Sequence, residues 1–197
     1  MPTQNLYPNA AGDLTQFPTV EPSSANHFEA VDETSADDDT SYIQSGIDEM
    51  VNFFITIKEN STTTHSSTTV PSDSSYANYT KEFTTKPSDS SAFTATDINN
   101  LQIGVRYTGT DEPTDQTDLF NIQDWPHNSA DTINSVTVSV RYKNSGAGAA
   151  APRMRLTQIF ATVDYTAAPG PTTGPLKNQA GAKVKITSGK LKIGELE

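Results

Sequence analysis

The clearest order in this chain is a two-residue alternation of apolar and polar positions. In INSVTVSVRYKN (residues 133–144), Val136, Val138 and Val140 fall on one side and Thr137, Ser139 and Arg141 on the other. That period predicts a strand with one face on a core and one in water, as in antiparallel sheets. RLTQIFATVDYT (155–166) repeats the pattern through Leu156, Ile159, Ala161 and Val163, with one slip of phase between Leu156 and Ile159 that suits a β-bulge. NLQIGVRYTG (100–109) alternates too, and VNFFITIKE (51–59) is a denser β-rich run around Phe54, Ile55 and Ile57.

Only two short pieces read as helical. TATDINNLQIG (94–104) offers Thr96 or Asp97 as an N-cap before a single turn, and TDLFNIQDWP (117–126) is closed by Pro126. Pro, Gly, Asn and Asp punctuate the rest at short intervals. The expected fold over residues 1–166 is therefore all-β: an antiparallel, jelly-roll-like β-sandwich.

After Tyr165 the pattern changes. TAAPGPTTGP (166–175) holds three prolines and two glycines, so residues 167–176 read as an extended linker. In the last segment, 177–197, Val184 and Ile186 alternate with Lys183 and Lys185, a Ser-Gly pair follows, and Leu191 and Ile193 alternate with Lys190 and Lys192. That predicts a small hairpin or one interrupted strand. A lone two-stranded hairpin is marginal in water, so its apolar face and edges call for a partner. Residues Lys183, Val184, Lys185, Ile186, Leu191 and Ile193 are thus candidates for a docking arm; a flexible solubilising tail is the plainer alternative.

Composition narrows the function classes. Hydrophobic content is 34% and the formal net charge −11. A thin-cored, Thr-rich β protein fits the first, and the second argues against nucleic acid, which needs a positive footprint. There is no cysteine, so neither a disulfide nor a thiolate site is available. MPTQNLYPNAAGD lacks the basic and apolar regions of a signal peptide, and no apolar run reaches the length of a membrane span. The expectation is a chain made in the cytoplasm, with no membrane partner.

Candidate chemistry concentrates in NHFEAVDETSADDDTSYI (26–43), with six carboxylates between Glu29 and Asp39. Asp32, Asp37, Asp38 and Asp39 are candidate ligands of a structural calcium ion. Against this, the spacing is not that of an EF-hand, and adjacent residues in extended backbone point to opposite sides. The other reading is a capped turn leading into a strand at Tyr42 and Ile43. Catalysis is disfavoured, because paired catalytic carboxylates face each other across a cleft and these crowd one loop. His27, His65 and His127 sit in unrelated contexts, and no Gly-x-Ser-x-Gly or phosphate-loop motif occurs. The chain is accordingly expected not to be an enzyme. Trp125, the single tryptophan, is a candidate sugar platform; the alternative places DLFNIQDWPHN as a core plug with Leu119, Phe120 and Ile122 inward. Asn60 and Asn78 begin glycosylation triplets that are expected to be coincidental without a secretion signal.

Six segments together resemble a domain of tailed-phage and prophage structural proteins: LYPNAAGDLTQF, NHFEAVDETSADDDTSYI, YANYTKEFTTKPSDSSAFTATDINNLQIGVRYTG, DLFNIQDW, INSVTVSVRYK and RLTQIFATVDYT. The resemblance spans most of residues 5–166 and carries no catalytic motif. It implies a jelly-roll-like sandwich on a virion, and it favours a structural turn, with or without a bound cation, for the acidic stretch. One departure is that the DLF…INSVTV block precedes the YANYT…LQIGVR block in that family. Here the order is reversed, with joins at Ser45-Gly46, Thr108-Gly109 and Ser145-Gly146. A permutation and an error of segment order both leave the strands intact and change only their connections. The expected function is a non-enzymatic virion subunit, a capsid decoration or tail-associated protein, whose partners are copies of itself and other virion proteins. The alternatives are a carbohydrate-binding module or adhesin recognising a surface glycan, or a subunit of an extracellular filament.

Overall fold

The computed structural model describes residues 1–23, 25–46, 50–68, 75–109, 115–145 and 153–169, and in the C-terminal segment Ile186–Thr187 and Lys190–Leu191. The chain divides into two units, Met1–Ala167 and Ala168–Glu197.

The first unit is an antiparallel β-sandwich. Its strands are β1 (Thr3–Leu6), β2 (Pro8–Thr15), β3 (Thr19–Glu21), β4 (Tyr42–Gln44), β5 (Met50–Glu59), β6 (Thr62–Thr68), β7 (Ala77–Phe83), β8 (Gln102–Gly109), β9 (Asp115–Ile122), β10 (Thr132–Ser145) and β11 (Arg153–Thr166). One sheet runs β3-β4-β11-β10-β7, with β1 also paired to β11; the other runs β2-β9-β8-β5-β6. The chain passes repeatedly between the sheets, so each hairpin is tied to the opposite layer.

The alternating segments become strands because their apolar positions meet between the two layers. Val136, Val138 and Val140 of β10 are buried, as are Phe53, Ile55 and Ile57 of β5. Fully burying one such side chain contributes roughly 1.5–3 kcal/mol. Across the layers, the rings of Phe53 and Tyr142 stack with centroids 4.2 Å apart.

The slip of phase in β11 is a real irregularity. Arg141 faces Gln158 while Tyr142 faces Leu156, so Thr157 is the unmatched residue. Leu156 and Thr157 are consecutively buried, after which alternation resumes at Ile159.

The two helical expectations fare differently. The helical turn α1 (Ala95–Asn99) forms, but its cap is Thr94, not Thr96 or Asp97. The Thr94 hydroxyl accepts from the Asp97 amide, and the Asp97 carboxylate accepts from the Thr94 amide at 2.8 Å. Asp97 thus fills the far half of a capping box. TDLFNIQDWP is not a helix: its first part is β9, paired with β8 from Gln102↔Asn121 to Thr108↔Asp115 and with β2 on its other side. Two ladders override a weak local preference. Phe120 and Ile122 enter the core as expected, while Leu119, on the alternate side of the strand, is buried outside it.

The three joins of the family-like blocks fall at or beside segments outside the described residues. On either side of two of them the strands pair to their ends, Thr108↔Asp115 and Ser145↔Arg153.

In the second unit, β12 (Ile186–Thr187) and β13 (Lys190–Leu191) pair antiparallel as Ile186↔Leu191 and Thr187↔Lys190, a hairpin forming a sheet of its own.

The sandwich depends on a close approach at Gly104 in β8, where an ideal Cβ would lie 2.0 Å from the backbone oxygen of Asp118. That oxygen belongs to a paired strand and cannot swing aside. Gly104→Ala is expected to destabilise the protein by about 1–3 kcal/mol or more, read from the midpoint of urea unfolding.

Candidate functional site

The outer face of the first sheet collects the polar positions of β10 and β11, and with them Arg141, Lys143 and Arg155. The acidic stretch runs beside it. β4 pairs with β11 only at Leu156 and Arg155, and β1 only at Ala161–Asp164. Between them the edge of β11 would be bare, and the acidic segment covers it. The Ile159 amide donates to the Val31 carbonyl at 3.0 Å, Gln158 Nε2 to the Glu33 carbonyl at 2.6 Å, and Thr157 Oγ1 to the Ser41 carbonyl at 3.0 Å. The bulged threonine therefore has its buried hydroxyl satisfied by the loop.

Asp38 opens a 3-10 turn, Asp38–Thr40, with a left-handed backbone at φ 56°. Asp tolerates that conformation better than most residues. A two-point bond holds it there: Arg141 Nε donates to Oδ1 at 2.7 Å and Nη2 to Oδ2 at 2.9 Å. Asp39 accepts from Lys143 Nζ at 2.5 Å and from Arg155 Nη1 at 3.2 Å. Two tyrosines flank the cations, Lys143 lying 4.5 Å from the Tyr76 ring centre and Arg155 4.4 Å from that of Tyr42.

The hydrogen bond from Lys143, with Arg155 nearby, holds the Asp39 carboxyl below its ordinary value. Asp32 and Glu33 move the other way, pushed up chiefly by burial and further by the Glu29 charge on Asp32 and the Asp37 charge on Glu33. Burial and the Asp39 charge also raise the Tyr76 hydroxyl.

The four candidate calcium ligands are thus not brought together. Asp38 and Asp39 turn to different cations, and Asp37 lies 3.5 Å from Thr157 Oγ1. Among the described residues no group of three or more His, Cys, Asp or Glu is placed to hold a metal ion. The arrangement is an electrostatic clamp that fastens a loop to a strand edge.

Trp125 is only 7% exposed, too little surface for a sugar to stack on. Its ring meets Tyr165 edge-on at 5.0 Å, and its backbone amide donates to Asn99 Oδ1 at 2.7 Å. His127 stacks on Tyr165 at 4.8 Å. His27 Nδ1 lies 2.6 Å from Oδ2 of the buried Asp118, which also accepts the Phe17 amide at 2.9 Å. The side chain of His65 lies outside the described ones. Asn60 occupies the β5–β6 turn at φ 52°, and Asn78 is exposed on β7.

The same outer face holds a groove of about 270 Å³ beside the clamp, floored by β10 and β11 and walled by Asn78 and Thr80 of β7 and by Asn5 and Tyr7. Tyr7 and Phe160 form its aromatic part, their centroids 5.5 Å apart. The sequence held one sign of it, since Phe160 falls on the polar side of its strand. The clamp's cations were also on that side, but their partners lie over a hundred residues away.

Comparison with family models, with curated proteins and with solved structures finds no match for this chain.

Of the arm residues, Ile186 and Leu191 are register partners in the hairpin. Lys183, Val184, Lys185 and Ile193 lie outside the described residues.

Two measurements check the clamp. Both Asp38 and Arg141 are partly exposed, so a double-mutant cycle between Asp38→Gly and Arg141→Ala should give a coupling of about 1 kcal/mol. Carboxyl NMR titration should place the Asp39 midpoint below 3.8 and the Glu33 midpoint above 4.5. The signs of their linkage to stability are opposite. Asp39 contributes stability above its ordinary value and loses it as pH falls through its depressed one. The contribution of Glu33 is complete below its ordinary value and is lost as pH rises through its raised one.

Proposed function

We propose that this chain is a non-enzymatic structural subunit of a virion, a capsid decoration or tail-associated protein, that assembles through its sandwich and its C-terminal arm. The observation that carries the assembly reading is the β12–β13 hairpin, which forms a two-stranded sheet of its own in a unit separate from the sandwich. Such a hairpin gains stability by adding to another sheet or covering its apolar side.

Charge supports the same reading. Residues 168–197 contain five lysines and two glutamates, a surplus of three positive charges, which leaves residues 1–167 at −14 of the total −11. A basic arm on one copy and an acidic body on the next attract each other and speed encounter. The virion assignment rests on the six family-like segments. The clamp supports a structural role for the acidic stretch, because Asp38 and Asp39 are engaged in holding the fold.

Deleting residues 170–197 is expected to leave a folded sandwich and remove self-association. Light scattering after size exclusion should show an oligomer for the full chain and a monomer for 1–169, with unchanged thermal unfolding of the body. A full chain that is monomeric alone and with purified host particles would overturn the proposal.

A further inference from the structure

We infer that the groove between Tyr7, Phe160 and β7 is a binding site for one ring of a neutral carbohydrate. The site is distinct from Trp125, and the inference stands whether or not the chain assembles through its arm.

Three features of the groove select this ligand class. The first is an aromatic surface where a strand pattern would put a polar one. Phe160 faces outward on β11, in a cross-strand row with Ser139 of β10 and Thr80 of β7. It is half-buried, with Tyr7 tilted against it. Sugar rings offer a face of C–H bonds that packs on such aromatics while their hydroxyls bond outward.

The second feature is a set of amides each pinned at one end. Asn5 Oδ1 accepts from Thr162 Oγ1 at 2.8 Å, Asn78 Oδ1 accepts from Arg141 Nη1 at 3.3 Å, and Gln158 Nε2 donates to the Glu33 carbonyl at 2.6 Å. Each bond engages one end of its amide and leaves the other, Nδ2 of Asn5 and Asn78 and Oε1 of Gln158, to a ligand. The hydroxyls of Thr80 and Ser139 add groups that both donate and accept. Ligand hydroxyls, which also do both, are the natural complement. Because the clamp positions Arg141, it also orders the Asn78 amide, and fixed groups cost less entropy on binding.

The third feature is charge. The groove's lining includes no ionisable carboxylate, lysine, arginine or histidine. Arg141 beside it is already neutralised by Asp38. Phosphate, sulfate and carboxylate ligands would find no countercharge there. A volume of about 270 Å³ lies just under the range of drug-sized pockets, which fits a single ring whose neighbours extend into solvent.

The test uses the full-length chain. Methyl glycosides of glucose, galactose, mannose and N-acetylglucosamine are titrated separately and followed by amide NMR, and a glycan array is probed in parallel. At least one sugar is expected to shift the amides of Asn5, Asn78, Thr80 and Ser139. Phe160→Ala should weaken that binding about tenfold. Thr80→Arg, at an exposed position, should fill the groove and abolish binding while leaving the thermal unfolding midpoint unchanged. No shift with any of these sugars at their solubility limits would overturn the inference. So would shifts mapped to another surface, binding undiminished in Thr80→Arg, or array signals confined to sialylated or sulfated glycans.

Discussion

The sandwich depends on one strand having both of its edges occupied. β11 pairs with β10 along its whole length, and on its other side it takes β4, then the acidic segment, then β1 in succession. An exposed central edge would be a template for unwanted pairing. Three separate pieces of the chain, all from its first fifty residues, close it. The amino-terminal quarter is thereby stitched to the carboxy-terminal strand of the sandwich, and the first sheet becomes continuous.

That stitching explains why so acidic a chain tolerates six carboxylates in one short stretch. Left alone, they would repel one another and hold the loop away from the sheet. The outward cations of β10 and β11 turn the repulsion into attachment, and Asp38 accepts a left-handed backbone in order to meet the Arg141 fork. Each pair is modest because it is partly exposed. Lys143 and Arg155 share Asp39, and Arg141 and Lys143 share the Tyr76 ring, so ordering one side chain lowers the entropy cost of ordering the next.

Much of the fold was legible from period alone. The valines of β10, the apolar run of β5 and the slip at Leu156–Ile159 each carry their structural meaning in a window of a dozen residues. β9 was not legible that way, because its strand state comes from pairing with β8 and β2 and not from its own sequence. α1 was seen, but its cap was misplaced, since Thr94 and Asp97 share the capping in a way either residue alone does not reveal. The acidic segment was recognisable as a loop, whereas the identity of its cations was not, because Arg141, Lys143 and Arg155 are distant in sequence. The groove was the least visible. It consists of uncharged side chains from four strands and two loops, and only Phe160 breaks a pattern.

The bulge at Thr157 governs the parity of β11. On its near side the even-numbered Met154 and Leu156 point inward, and on its far side the odd-numbered Ile159, Ala161 and Val163 do. Arg155 thus has the same parity as Ile159 yet faces the opposite way. Because Leu156 and Gln158 meet the consecutive residues Tyr142 and Arg141, the bulge lets the strand carry Thr157 as an extra residue while Arg153 and Arg155 stay outside and the aliphatics of both halves stay inside. The extra residue is used: its hydroxyl reaches the Ser41 carbonyl, so a strand shortened by Thr157 would keep its faces and lose one of its ties to the acidic segment.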